Sequence, residues 1–246
     1  MSSTFRIATW NLERPKQNGW TKNQRRLDKI REINADVWVL TETHEVIDLK
    51  NSYESIPSTP IENYHKPGEN LTTIWTRWTV LNRLQTFDPN FAVCAEIDSP
   101  LGAMMIYGTV IPYANDKGIS GTAKRWEEQR RSIQQHHADW LRIQKQFPNH
   151  WMCIAGDFNQ SRDKSGWYED QQSVDLMTAA LQDLSMVCVS EEKFQGLSRS
   201  TIDHICLSQD SNCHRLDVKA WEGTTPEGKK MSDHNGVWVD LGCIEY

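Results

Sequence analysis

Ten short runs rich in β-branched and aromatic residues recur along the chain, and only three stretches carry helical spacing. The runs cover residues 5–10, 37–41, 71–77, 91–97, 103–111, 151–156, 186–189, 200–208, 214–221 and 236–241. Each has the length and residue types of a strand. Several, such as "VWVLT" and "WMCIAG", are apolar at nearly every position. A strand that reads this way is buried on both faces. The first helix is expected over 21–34, with Thr21 and Gln24 as a capping box and Leu27, Ile30 and Ile33 at three-residue spacing. Trp126, Arg130, Ile133, His137, Trp140, Leu141 and Gln144 mark one face of a second helix, and a third lies near 173–184. Residues 43–70 read as mostly loop. No repeat or flexible linker divides the chain, so 1–246 reads as a single α/β (α+β) domain.

Composition narrows the class. With 38% hydrophobic and 24% charged residues, the chain is an ordinary globular protein. No run approaches the roughly 18 apolar residues of a membrane span, and no secretory signal precedes the first strand. A cytoplasmic protein without a membrane partner is expected. The six cysteines, at 94, 153, 188, 206, 213 and 243, form no C-x-x-C pair and read as buried free thiols, not a zinc site. The net charge of −6 disfavours tight binding of nucleic acid by bulk phosphate neutralisation. It does not exclude meeting a phosphate through a metal ion, which brings its own positive charge.

The informative residues stand where the strands stop. "WMCIAGDFNQ" is apolar until Gly156, then turns to Asp157 and Asn159 with Phe158 between them. In an extended chain residues two apart share a face, so Asp157 and Asn159 are expected to point the same way. Asn11 and Glu13 follow the first strand, and Glu42 follows the second. Asp203 and His204 interrupt "STIDHICLS", and Asp233 and His234 precede the last strand. Residues at separate strand ends can converge on one cleft. Their hard oxygen donors suit Mg²⁺ or Mn²⁺. A metal held by carboxylates can polarise a phosphoryl oxygen, while Asp157 and Asn159 are expected to orient a water for in-line attack. His234 is expected to exchange a proton with a reacting phosphate, with Asp203 as the partner that fixes its tautomer.

Taken in order, "TWNLER", "LTETHE", "GDFN", "IDHI" and "SDHNGV" resemble the motifs of the endonuclease/exonuclease/phosphatase superfamily, over residues 6 to 241. The segment "IWTRWTV" is similar to the mid-chain strand of that family. The resemblance implies a four-layer α-β-β-α sandwich of two mixed sheets and Mg²⁺-dependent cleavage of phosphoester bonds. It implies Glu42 as the principal metal ligand with Asn11 beside it, Glu13 as a further acid, and Asp233 with His234 closing the site. Many members carry Tyr or His where Val110 stands here, so Thr109, Tyr107 or Tyr113 is expected to replace it.

Lys229 and Lys230, just before "SDH", are placed to meet substrate phosphates or to decorate a loop. Trp167 could stack on a base, an interaction worth about 1–3 kcal/mol per base. Lys22, Arg25, Arg26 and Lys29 read as a solvated helix face, and His204 as structural. A nuclease acting on DNA or RNA is the leading reading. A phosphodiesterase or phosphatase on a lipid or small-molecule phosphoester is the alternative, and a catalytically silent binding module is the third.

Overall fold

The computed structural model describes residues 4–209 and 213–243. The elements follow in the order β1 (Thr4–Asn11), α1 (Trp20–Ile33), β2 (Val37–His44), β3 (Glu54–Pro57), β4 (Glu69–Thr76), β5 (Val80–Leu84), β6 (Ala92–Ser99) and β7 (Gly102–Val110). Then come α2 (Glu127–Gln146), β8 (Trp151–Asp157), α3 (Gln171–Asp183), β9 (Met186–Cys188), β10 (Asp203–Ser208), β11 (Cys213–Trp221) and β12 (Gly236–Cys243). They form two six-stranded sheets, ordered β11-β12-β1-β2-β4-β3 and β5-β6-β7-β8-β10-β9. Each is mixed, with one parallel pair, β1/β2 in the first and β7/β8 in the second.

Strand alternation explains the layers. Ile7, Val37, Val39 and Ile74 of the first sheet face Ile106, Cys153, Ala155 and Ile205 of the second, and fill the central core. The intervening Ala8, Trp10, Trp38 and Leu40 turn outward and pack beneath Ile30 and Ile33 of α1. Met105, Tyr107, Met152 and Ile154 turn outward from the second sheet against Trp140 and Ile143 of α2 and Met177 and Leu181 of α3. The order is therefore helix, sheet, sheet, helix, as the family resemblance implies. Burying each large apolar side chain contributes about 1.5–3 kcal/mol. Among the described residues no helix is long and apolar enough to cross a membrane.

Several local expectations are corrected. Helix α1 starts at Trp20 after Gly19, and no side chain caps it, so Thr21 and Gln24 make no capping box there. Arg26 on that helix is 2% exposed and does not belong to a solvated face. The expected loop over 43–70 contains β3, an edge strand whose Pro57 has no amide to give to the ladder. The segment 74–80 is divided between β4 and β5. The buried face of α2 carries Gln129, Ser132, His136 and Asp139 beside Ile133, Trp140 and Ile143, while Leu141 is exposed. Cys94, Cys153, Cys188 and Cys206 are buried free thiols. The side chains of Cys213 and Cys243 lie outside the described residues.

Candidate active site

Two strands of opposite sheets end side by side, and their last residues meet. Asn11 closes β1 and Asp157 closes β8. The Asn11 amide donates from Nδ2 to Asp157 Oδ2 at 2.9 Å, so one hydrogen bond joins the two sheets. The Asn11 side-chain oxygen accepts from the Glu13 backbone N–H at 2.8 Å, which orients the amide. Asp203, the first residue of β10, is the register partner of Asp157 across the antiparallel ladder.

The backbone at Gly156 permits this approach. It has φ +142°, and a Cβ there would lie 1.9 Å from the carbonyl oxygen of Thr109 on β7. Only glycine fits such contact. Beyond the strand, Asn159 takes a left-handed φ of 48°. Its Nδ2 donates back to Asp157 Oδ2 at 3.1 Å and to the Ile111 carbonyl at 3.0 Å, and its N–H donates to Asp157 Oδ1 at 2.8 Å. Asn159 therefore reaches Asp157 through a turn, not by alternation along a strand. Its amide holds the aspartate directly. Phe158 is fully buried in the layer beneath α2 and α3.

Asp203 Oδ2 accepts from Nδ1 of His234 at 2.6 Å. The same ring nitrogen lies 3.9 Å from Asp157 Oδ2. Burial by itself would lower the imidazole, but Asp203 and Asp157 outweigh it and lift His234 to about 10. At neutral pH it is an imidazolium. Burial pushes Asp157 the other way from an ordinary carboxylate, up to about 7, with His234 opposing and Asp203 reinforcing the rise. The His234 loop is pinned by Ser232, whose Oγ donates to the Asn11 carbonyl at 2.6 Å and accepts from the His234 N–H at 3.1 Å. Trp10 Nε1 donates to the His234 carbonyl at 3.0 Å.

Glu42 lies within β2, not after it, and has φ 47°. This departure from extended geometry falls between the ladder pairs Thr41/Thr72 and Thr43/Asn70. A non-glycine residue there costs about 1–3 kcal/mol, a strain characteristic of functional positions. Burial raises the Glu42 carboxyl, while the neighbouring Asn11 amide and Arg14 lower it. Arg14 Nε lies 3.7 Å from the carboxylate, and its guanidinium sits 4.4 Å from the centre of the Tyr64 ring. Asp233 is exposed, and its charge acts on both Glu42 and His234.

The other expected residues stand elsewhere. Glu13 is drawn out of the acid cluster, with its oxygens 2.5 Å from Nζ of Lys22 and 2.5 Å from Nζ of Lys230. Lys230 is thereby a partner of Glu13 and not a free cation facing the cleft. Thr109 is fully buried and bonds His136 Nε2 on α2 at 2.6 Å. Strand parity points it, like Tyr107, at the helix side, so it cannot meet substrate. Lys229 is exposed on its loop, and its backbone pairs with Thr225. Tyr113 and Trp167 are half exposed at 50% and 45%. Trp167 lies beneath the Arg199 guanidinium at 5.4 Å.

Sequence reasoning missed Arg14, Arg26 and Ser232. Arg26 is buried on α1 and donates to the Met231 carbonyl at 2.8 Å and to Asn23 Oδ1 at 2.9 Å. Its position on the inner face beside Ile30 and Ile33 was the available signal.

No family model matches the chain, and no curated protein matches it. Solved structures do. An endonuclease/exonuclease/phosphatase protein from Bacteroides vulgatus superposes with a TM-score of 0.70 at 17% identity, covering 98% of this chain and 100% of its own. The human Nocturnin catalytic domain, with a bound sulfate anion, gives 0.67 at 17% identity over 99% and 98%. An AP endonuclease from Archaeoglobus fulgidus gives 0.67 at 14% identity over 96% and 98%. The chain has the endonuclease/exonuclease/phosphatase fold.

Within this fold the donor chemistry can be tested against a metal ion. Asp157, Asp203 and His234 bring ligating atoms within 4.8 Å of one another, close enough to share a cation. His234 already commits Nδ1 to Asp203 Oδ2, so that nitrogen is not free for a metal. Glu42, with the Asn11 amide beside it and the Asp233 charge acting on it, carries further hard oxygen donors. Glu42 and Asp233 repel each other, with Arg14 as a cationic neighbour. That set fits a small divalent cation.

Proposed function

We propose that this chain is a divalent-metal-dependent phosphodiester hydrolase of the endonuclease/exonuclease/phosphatase superfamily, and that its substrate is DNA or RNA. One observation carries the reading. Asp157 is buried, held by two amides, and faces an imidazolium that a second buried aspartate keeps charged. This arrangement pairs a base with a cation around one small volume.

A Mg²⁺ or Mn²⁺ held by Glu42, with Asn11 and Asp233, would polarise a phosphoryl oxygen. The protein groups do the rest. Asn11 and Asn159 fix the Asp157 carboxylate. With its pKa raised to about 7 by burial, Asp157 accepts a proton from the attacking water close to neutral pH. His234 keeps Nδ1 on Asp203, which leaves Nε2 to meet the phosphoryl oxygens as negative charge accumulates on them. Asp203 positions the ring and keeps it charged. Exposed Trp167 and Tyr113 offer flat surfaces for bases at the rim. The nuclease choice draws further support from the AP endonuclease among the structures of this fold.

A small-molecule or lipid phosphoester is the second reading. Val110, the register partner of Asp157, puts an apolar side chain where a phosphate contact is expected, and the net charge is −6. The test is cleavage of plasmid, single-stranded DNA and RNA with Mg²⁺ or Mn²⁺, with EDTA and His234→Ala as controls. Metal-dependent cleavage lost in the variant supports the nuclease. Folded protein that leaves all three intact, but hydrolyses a small phosphodiester, supports the second reading.

A further inference from the structure

Away from the site, one pair of buried side chains has chemistry that phosphoester hydrolysis leaves unused. Cys188 closes β9 and Cys206 lies within β10, and the two are direct partners in the antiparallel register. The backbone fixes the kind of pair. Val189 N–H donates to the Ile205 carbonyl at 2.9 Å, and Gln209 N–H donates to the Ser185 carbonyl at 3.0 Å. By alternation from either bond, 188/206 is a non-hydrogen-bonded pair, the kind whose facing α-carbons approach to about 4.5 Å. A disulfide spans α-carbons roughly 4.4–6.8 Å apart. Both side chains enter the layer beneath α2 and α3, and both are free thiols.

We propose that Cys188 and Cys206 form a reversible thiol–disulfide pair that reacts with low-molecular-weight disulfides of the glutathione kind. Burial opposes ionisation of Cys188, but the Cys206 thiol and the His204 imidazole outweigh it and hold the Cys188 thiol low. Cys206 is pushed up by burial and by Cys188. Cys188 is therefore the attacking sulfur. It displaces one half of the small disulfide as a thiolate, which takes up a proton. Cys206, losing its proton, then attacks the Cys188 sulfur of the mixed disulfide and releases the second small thiol. The two cysteines give up two electrons and two protons, and the small disulfide becomes two thiols.

Access has a structural route. A cavity of about 290 Å³ has Ser190 and His204 in its wall, and Ser190 Oγ lies 3.7 Å from Cys188 Sγ. β9 is a three-residue strand at the edge of its sheet, the kind of segment that opens locally at low cost. The pair also touches the site through His204. That imidazole bonds Ser190 Oγ at 3.1 Å and the carbonyl of Gln160 at 2.9 Å, next to Asn159.

The full chain, incubated with oxidised glutathione and mapped as non-reduced peptides, tests the pair. A single linkage joining the Cys188 and Cys206 peptides is expected, removed by dithiothreitol and accompanied by a rise in Tm of several degrees. Cys206→Ser should stop at one glutathione on Cys188. Wild-type protein with no linkage, or with linkages among other cysteines, overturns the proposal. So does a folded Cys206→Ser protein that takes up no glutathione at Cys188. If that variant fails to fold, the wild-type peptide map decides alone.

Discussion

Replacing Asp203 with Asn tests whether the site works by charge or by shape. The amide is nearly isosteric and its oxygen can still accept from His234 Nδ1, so the 2.6 Å contact survives while the charge is lost. His234 stands at about 10 against an ordinary 6.5, a preference for the protonated ring of about 5 kcal/mol. Burial works against that preference, so the acids supply more than the net figure, and Asp203 contributes most among them. Its loss should lower His234 by at least about two pH units, or roughly 3 kcal/mol. Imidazole proton resonances followed by NMR across pH 5–11, with His234→Gln for assignment, give the value directly. Stability has a definite sign as well. A base whose folded pKa is raised stabilises the fold fully below 6.5 and loses that contribution as pH rises through about 10. The deficit of the Asn variant should thus be largest in acid and shrink above that point. A His234 that still titrates near 10 in the variant, or turnover at pH 9 equal to wild type, would refute the charge argument.

Three further outcomes follow from the same geometry. Asp157→Ala should abolish turnover while the fold persists; an active, folded variant would remove Asp157 from the mechanism. Gly156→Ala should cost about 3 kcal/mol or more in urea unfolding, because its Cβ would meet the Thr109 carbonyl oxygen at 1.9 Å. His136, fully buried and lowered to about 4 by burial, should make stability fall as pH drops from 6.5 to 4, by up to about 3 kcal/mol. Denaturant midpoints at pH 7 and pH 4.5 should show that loss, and His136→Gln should flatten it.

Burial decides which parts of the fold could be read from sequence. β2 and β8 are buried on both faces, so their apolar runs stand out. β3 is half exposed, ends in proline and is four residues long, so it leaves no pattern. The inner face of α2 is hidden for another reason. Its polar residues are buried because the tertiary structure satisfies them: Gln129 donates to the Asn159 carbonyl at 2.8 Å, and Asp139 accepts from Tyr107 Oη at 2.9 Å. A pattern built on hydrophobicity turns that helix the wrong way. At the site, the residue types were legible because apolar strands ended in acids and amides. Their directions were not. Thr109 depends on strand parity, Asn159 on a left-handed turn, and Glu13 on which lysines reach it.

The strand order also ties the site to distant parts of the chain. β1 is flanked by β2 on one side and by β12, the last strand, on the other. Asn11 precedes every other residue of the site along the chain, while His234 and the Ser232 that grips the Asn11 carbonyl come after the rest. A chain cut between Asp203 and Ser232 would hold Asp157 without its imidazolium. Proteolysis after β11 would therefore remove the cation and one of the two ladders that hold β1 at once, while Asp157 and Asp203 stay in the chain.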